Sequence, residues 1–252
     1  MRIPRLYVKQ LLTQHSTVIL EQESSHYLCT VLRVKAGREL VLFNGYLSDA
    51  GVSGEYQATL IEANKKAAVI EIKEFIQTQC ESNLKLELAC CLIKTDRMDW
   101  LLQKATELGV TSISPLFSEF TDVKLPVDRI EKKQCHWQQI VISACEQSGR
   151  THIPIVNSPM PLSQWLAQDK SEGRYVLHPY NAKPFVFDDT LKKTTKTVSL
   201  LVGPEGGLSD AEVNDAHANQ FESVLLGPRI LRAETAPLVA LSILQSQLGD
   251  FS

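Results

Sequence analysis

Two segments in the last fifth of the chain bring together residue types that do chemistry only in company. Leu200–Val213 reads LLVGPEGGLSDAEV and Leu225–Leu241 reads LLGPRILRAETAPLVAL. In each, an apolar run stops at a Gly-Pro, first Gly203-Pro204 and then Gly227-Pro228. Such runs are the pattern of buried strands, and glycines at their ends let the backbone turn sharply and let a ligand approach with no Cβ in the way. Two such turns side by side would expose backbone donors and acceptors suited to a small polar cofactor. Just beyond the second turn stand Arg229, Arg232 and Glu234, charged groups between two apolar elements. The first loop is no common phosphate cradle, because neither GxxxxGK[ST] nor GxGxxG is present. Glu205 within it would repel an anion and suits a cationic or amine-bearing ligand. The plain alternatives are a tight turn for the first segment and a surface ion pair for Arg232 and Glu234.

The elements that must position these residues follow from the local pattern. Ser209-Asp210-Ala211-Glu212 is a capping box, so the first segment reads strand, glycine loop, helix. In an open α/β sheet the loops at the carboxyl ends of strands are the usual ligand site. In the second segment, FESVLL is the strand, and Glu234-Thr235-Ala236-Pro237 opens the last helix with Pro in its first turn. Upstream, LKLELACCLI is a strand. Thr95 or Asp96 caps a helix through Leu108, with Gly109 just past its end. VTSISPLF is the next strand, Val127–Gln147 a long amphipathic helix, and Pro161–Gln168 a short one. RYVLHP and VSLLVGP are two further strands. Alternating strands and helices predict an α/β layer with a mainly parallel sheet.

Residues 1–75 have a different rhythm. Short strands are expected at Arg5–Val8, Thr17–Leu20, Glu39–Phe43, Gly54–Ile61 and Ala67–Phe75, with Asn44-Gly45 as a turn. Ser24-Ser25 can cap one intervening helix, HYLCTVLRV. Many short strands with one helix suggest a small β-barrel. IQTQCESN, residues 76–83, is polar and aperiodic and reads as a linker, leaving 84–252 as the second domain.

Composition narrows the function classes. The chain has 252 residues, 44% hydrophobic and 22% charged, with a formal net charge of −3. No apolar run reaches membrane-spanning length and the N-terminus has no apolar core, so a cytoplasmic protein is expected. A chain that is no polycation can bind nucleic acid only through a local basic face. None of the six cysteines forms a CxxC. Cys90-Cys91 lies in an apolar run, and Cys135, His136 and Cys145 fit no common zinc spacing, so no metal is expected.

VGPEGG together with LGPRILRAETA resembles the SPOUT superfamily of S-adenosylmethionine-dependent RNA methyltransferases. More narrowly, it resembles the RsmE family of 16S rRNA uridine N3-methyltransferases. MRIPRLY, HYLCTVLRVKAGRELVLFNG, DRMDWLLQKATELGV, SPLFSE and ACEQSGR (Ala144–Arg150) fit the same family pattern in order, so the resemblance spans nearly the whole chain. It implies a C-terminal domain knotted as a deep trefoil, an exception to the rule that chains do not thread loops. It also implies an N-terminal PUA-like RNA-binding barrel, a homodimer, and the small ribosomal subunit as partner. The cofactor would meet Leu177, His178 and Pro179; Leu201, Val202, Gly203, Pro204, Glu205, Gly206 and Gly207; and Leu226, Gly227, Arg229, Ile230 and Leu231. One position departs from the pattern: an Arg is common after the Ser-Glu of SPLFSE, where this chain has Phe120, which leaves Lys124 or Arg129 as substitutes.

Methyl transfer to uracil N3 requires the base unpaired and the loss of its N3 proton favoured. A cation near O2 or O4 would stabilise the developing charge. Arg232 is the first candidate and Arg229 the second, while Glu234 would orient an arginine or accept the proton. Candidates to grip RNA phosphates are Arg2, Arg5, Arg33, Lys35, Arg38, Lys94, Arg97 and Arg150. Against this enzyme stand two other readings: a ribose 2′-O-methyltransferase of the same superfamily, and a non-catalytic RNA-binding assembly factor.

Overall fold

The computed structural model describes residues 3–45, 53–179, 182–188, 192 and 194–251. The chain divides into two compact units, Met1–Glu81 with Cys145–Ile153, and Ser82–Ala144 with Pro154–Ser252.

The first unit is built on a five-stranded sheet of β1 (Arg5–Tyr7), β2 (Thr17–Ile19), β3 (Glu39–Phe43), β4 (Gly54–Glu62) and β5 (Val69–Gln77). The strand order is β1-β3-β4-β5-β2, with β1 parallel to β3 and the other pairs antiparallel. Inward positions alternate along β4, where Tyr56, Ala58 and Leu60 are buried. Register shifts between Tyr56 and Ala58 and between Leu60 and Glu62 bend the β4–β5 pair. Among the described residues β1 and β2 do not pair, so the expected barrel is an open, curled half-barrel. Strand β5 also runs two residues into the segment read as a linker, because Ile76 and Gln77 pair with Glu55 and Gly54.

The intervening helix starts earlier than expected. Helix α1 (Gln22–His26) has Glu21 as its N-cap and passes into a π turn at Tyr27–Val31. Ser25 caps nothing: its buried hydroxyl donates to the Leu20 carbonyl at 3.1 Å and accepts the Ala68 N–H at 2.9 Å. It ties helix to sheet over a core of Leu28, Leu40, Leu60 and Ile70.

Two of the expected RNA-gripping arginines are internal fasteners of this unit. Arg5 donates to Glu55 at 2.9 Å, to the Cys145 carbonyl at 2.8 Å and to the Gly149 carbonyl at 3.2 Å, and lies 4.6 Å over the Phe43 ring. Arg150 is 4% exposed and donates twice to Glu81, at 2.7 and 3.0 Å. Arg5 spends its donors on these internal acceptors and Arg150 is buried against Glu81, so neither is presented to a phosphate and these two assignments are corrected. Arg33 and Lys35 are exposed and Arg38 is half-buried, while Arg2 lies outside the described residues. The return of Cys145–Ile153 to this unit explains why ACEQSGR is patterned: Glu146 accepts the Tyr7 N–H at 3.0 Å, and Glu81 accepts those of Thr151 and His152. Burial raises the Glu146 carboxyl above its usual range, opposed by the Tyr7 N–H and Arg5.

The second unit holds a parallel sheet of β6 (Lys85–Cys91), β7 (Ser112–Phe117), β8 (Ile155–Val156), β9 (Met160–Pro161), β10 (Gly173–Leu177), β11 (Lys183–Pro184), β12 (Thr197–Val202) and β13 (Glu222–Leu225). Its order is β11-β13-β10-β12-β6-β7-β8, with β9 also against β7. The helices are α2 (Thr95–Glu107), the start of α3 (Val127–Ser148), α4 (Leu162–Gln168), α5 (Asp210–Ala218) and α6 (Thr235–Leu248). Central strands β6 and β12 are buried over most of their length, as a sheet covered on both faces demands. Cys90 and Cys91 are buried there, and burial pushes the Cys91 thiol up to about 12. Helix α2 takes Lys94 as its N-cap with no side-chain cap bond, so neither Thr95 nor Asp96 caps it. Gly109, at φ +85°, turns the chain after it. No helix among the described residues is long and apolar enough to cross a membrane.

Candidate functional site

Strand β10 lies between β12 and β13, and their ends are level. Leu177 pairs with Val202 on one side and with Val224 on the other. The loops that leave these three strands therefore open from one edge of the sheet, where an α/β fold places ligands. They surround a cleft of about 830 Å³, within the usual size of a small-molecule site.

Most of the expected cofactor residues line it. Leu177, His178 and Pro179 come from the end of β10; Val202, Gly203, Pro204, Glu205 and Gly207 from the end of β12; Leu226, Gly227, Arg229, Ile230 and Leu231 from beyond β13. Two do not. Leu201 is fully buried inside β12, and Gly206 faces away from the cleft, where a Cβ would stand 3.0 Å from that of Phe120. Leu208, Val224, Pro228, Ala233 and Ala236 line the cleft as well.

The glycine loop is tightly closed at its base. A Cβ on Gly203 would meet Leu208 Cγ at 3.0 Å and the Gly207 carbonyl carbon at 3.1 Å. Gly207 has φ +76°, a conformation other residues rarely adopt. The capping box forms as the sequence implied: Ser209 Oγ accepts the Glu212 N–H, and Glu212 Oε2 accepts that of Ser209 at 2.9 Å. Glu212 has a second task, since its Oε1 accepts the Glu119 N–H at 2.8 Å. That bond holds the turn carrying Phe120 against the loop. Phe120 is 45% exposed, and Lys124 and Arg129 are exposed beyond it.

Charge in the cleft centres on a residue assigned to RNA phosphates by sequence. Arg97, in the first turn of α2, lines the cleft and donates from Nη1 to Glu205 Oε1 at 3.2 Å. Its Nε lies 3.8 Å from Glu234 Oε1, and Arg232 Nη1 lies 4.0 Å from the same oxygen. Glu234 is the N-cap of α6 and 9% exposed, and its Oε2 has no hydrogen-bond partner among the described residues. The sheet order brings Arg97 there: α2 follows β6, which is the other neighbour of β12, so its start borders the same sheet edge. Lys94, one turn earlier, is exposed. The His178 imidazole is pushed below its usual range by burial and then by His217, against the pull of Asp210. His217 itself is hydrogen-bonded to Ser223 at 2.8 Å.

These residues fit a cofactor bearing positive charge. Burial disfavours the charged form of the His178 imidazole, and Glu205 offers a carboxylate, shared with Arg97.

Comparison with known proteins agrees with this geometry. Residues 80–245 match the model of the RNA methyltransferase domain, and residues 20–73 that of the RNA methyltransferase PUA domain. The Ribosomal RNA small subunit methyltransferase E of Buchnera aphidicola is 34% identical over 252 residues, covering 100% of this chain and 99% of that one. The protein of the same name from Bacillus subtilis is 31% identical over 95% of this chain and 93% of its own length. Among solved structures, a Legionella pneumophila methyltransferase in complex with S-adenosylmethionine has a TM-score of 0.92 at 35% identity, covering 100% of both chains. The Ribosomal RNA small subunit methyltransferase E of Neisseria gonorrhoeae, bound to S-adenosylmethionine, has a TM-score of 0.91 at 36% identity, also over 100% of both. With both domain models matched in order along its length, the chain belongs to the ribosomal RNA small subunit methyltransferase E family of RNA methyltransferases.

Proposed function

We propose that this chain methylates N3 of a specific uridine in the 16S rRNA of the small ribosomal subunit, using S-adenosylmethionine. The observation that carries the reading is the cleft where both Gly-Pro turns converge with Arg97, Arg229 and Arg232. The names of the full-length relatives supply the substrate class. When bound, the cofactor supplies an electrophilic methyl group on a sulfonium. Leu177–Pro179, Val202–Glu205, Gly207 and Leu226–Leu231 would hold it, with Glu205 facing its positive charge.

The arginines act on the base. Uracil N3 is a poor nucleophile until its proton leaves, and the charge then spreads to O2 and O4. Arg232 is 76% exposed at the cleft and anchored by Glu234, so it can reach a carbonyl oxygen of a base presented from solution. Arg229 is exposed beside it and is the second candidate. The unit of Met1–Glu81 with Cys145–Ile153 is the RNA-binding part, and that of Ser82–Ala144 with Pro154–Ser252 the methyltransferase part. Arg33, Lys35, Arg38 and Lys94 remain as phosphate grips. The same reading makes the chain a cytoplasmic homodimer whose C-terminal domain is threaded as a trefoil knot.

The test is methylation of small ribosomal subunits lacking the modification, with the product nucleoside identified by mass spectrometry. 3-Methyluridine is expected. A ribose methyl would refute the reading in favour of a 2′-O-methyltransferase, and no cofactor binding by calorimetry would favour a non-catalytic assembly factor.

A further inference from the structure

We propose that Arg97 is a second catalytic cation, which together with Arg232 brackets the N3 position of the uracil. The inference rests on the N3-methylation reading and deepens it. Two guanidinium groups from different elements meet one atom, Glu234 Oε1, at 3.8 Å for Arg97 and 4.0 Å for Arg232. Arg97 enters from the start of α2, and Arg232 from the link that precedes α6. Their shared anchor holds both groups within the span of one pyrimidine and its two hydrogen bonds.

The chemistry of the base calls for two cations and not one. Loss of the N3 proton leaves the electron pair of the N–H bond on nitrogen, delocalised onto both O2 and O4, which lie on either side of N3. A single arginine stabilises one of these oxygens, whereas a pair sharing a carboxylate can meet both. The side chains of Arg97 and Arg232 are 32% and 76% exposed, so both present donors to the cleft. Arg97 has Nη1 on Glu205 and Nε toward Glu234, and among the described residues Nη2 makes no hydrogen bond.

Glu234 is then the anchor and not the base. Its side chain is 12% exposed, Oε2 is shielded from solvent with no partner among the described residues, and Oε1 faces the two guanidinium groups, which favour its charged form over accepting a proton. The N3 proton passes to water. Removal of one preorganised donor of this kind costs about 10²–10³-fold in turnover.

The test compares wild type, R97Q and R97K on unmethylated small subunits, with S-adenosylmethionine affinity measured by calorimetry and turnover measured from about pH 6 to 10. R97Q is expected to lower kcat about 10²–10³-fold while cofactor affinity stays within threefold. Its activity should rise with pH at least one unit later than in wild type, because the N3–H must now ionise with one cation fewer. R97K, which keeps the charge, should restore a tenth or more of the rate and most of the pH shift. A kcat for R97Q within threefold of wild type overturns the inference. So does a loss with an unmoved pH profile, or an equal loss of cofactor affinity, because each marks a structural role. Wild-type methylation at any atom other than N3 sinks the underlying reading and this inference together, whereas normal N3 methylation by R97Q sinks the inference alone.

Discussion

Gly203→Ala probes the cleft at its tightest point. The added methyl would stand 3.0 Å from Leu208 Cγ and 3.1 Å from both the Gly207 carbonyl carbon and the Leu208 amide nitrogen, where ordinary contact begins at 3.4 Å. Two of these atoms are backbone of the same turn. The third belongs to a side chain packed in a core with Val213, Ala216 and Phe221. Neither side yields freely, and overpacking of this kind costs about 1–3 kcal/mol. The strain has two outlets. If the loop holds, folding bears it, and Tm falls by about 2–4 °C per kcal/mol in a chain of this size. If the loop opens, ligand binding bears it, and at about 1.4 kcal/mol per tenfold the affinity falls roughly 5- to 150-fold. The direction of the clash makes the second outlet dominate, because the methyl prises the turn apart and does not fill the cleft. Scanning calorimetry and titration with S-adenosylmethionine separate the two. An affinity within twofold of wild type, whatever the Tm, would refute the placement of the cofactor against this loop.

Other substitutions separate stability from binding. Gly207→Ala meets no atom within 4 Å but must hold φ +76°, so it should lose only about 1–2 kcal/mol of stability by denaturant titration. Ser209→Ala removes one cap bond and should cost about 1 kcal/mol. Glu212→Ala should cost more in the same titration, because it also frees the Glu119 N–H and loosens the Phe120 turn. Arg5→Ala breaks a largely buried ion pair and hydrogen bonds to the Cys145, Glu146 and Gly149 carbonyls, so it should destabilise by about 3 kcal/mol or more yet leave the salt slope of RNA binding unchanged. Arg33→Ala should do the reverse, lowering that slope by about 0.7–0.9 for each phosphate charge no longer neutralised. His178 is favoured in its neutral form in the folded protein. Its contribution to stability is therefore complete above its unfolded pKa of about 6.5 and is lost as the pH falls through its lowered folded value. The Tm of wild type should drop more steeply on acidification than that of His178→Asn.

The site was legible in sequence where local rules and chemistry coincide. Gly-Pro at the ends of apolar runs is a statement about one turn, and Ser209–Glu212 about one helix end, so both could be read without knowing what packs beside them. Leu201 and Gly206 mark the resolution of that reading: they belong to the right segment, but which side of a turn faces a cleft is decided by the neighbouring strand and by Phe120. The arginines show the harder limit. Arg5, Arg97 and Arg150 are alike in sequence, each a lone cation near a polar stretch. What separates them is a partner far along the chain: Glu55 and the carbonyls from Cys145 onward for Arg5, Glu81 for Arg150, Glu205 and Glu234 for Arg97. A charge is free for a substrate only when such partners leave donors over, and those partners are supplied by tertiary structure. Arg97 stands at the cleft with Nη2 making no hydrogen bond among the described residues, whereas Arg5 and Arg150 are held by groups inside a packed unit. The same physical test, which donors remain after the fold has taken its share, moved Arg97 from the RNA surface to the reacting base.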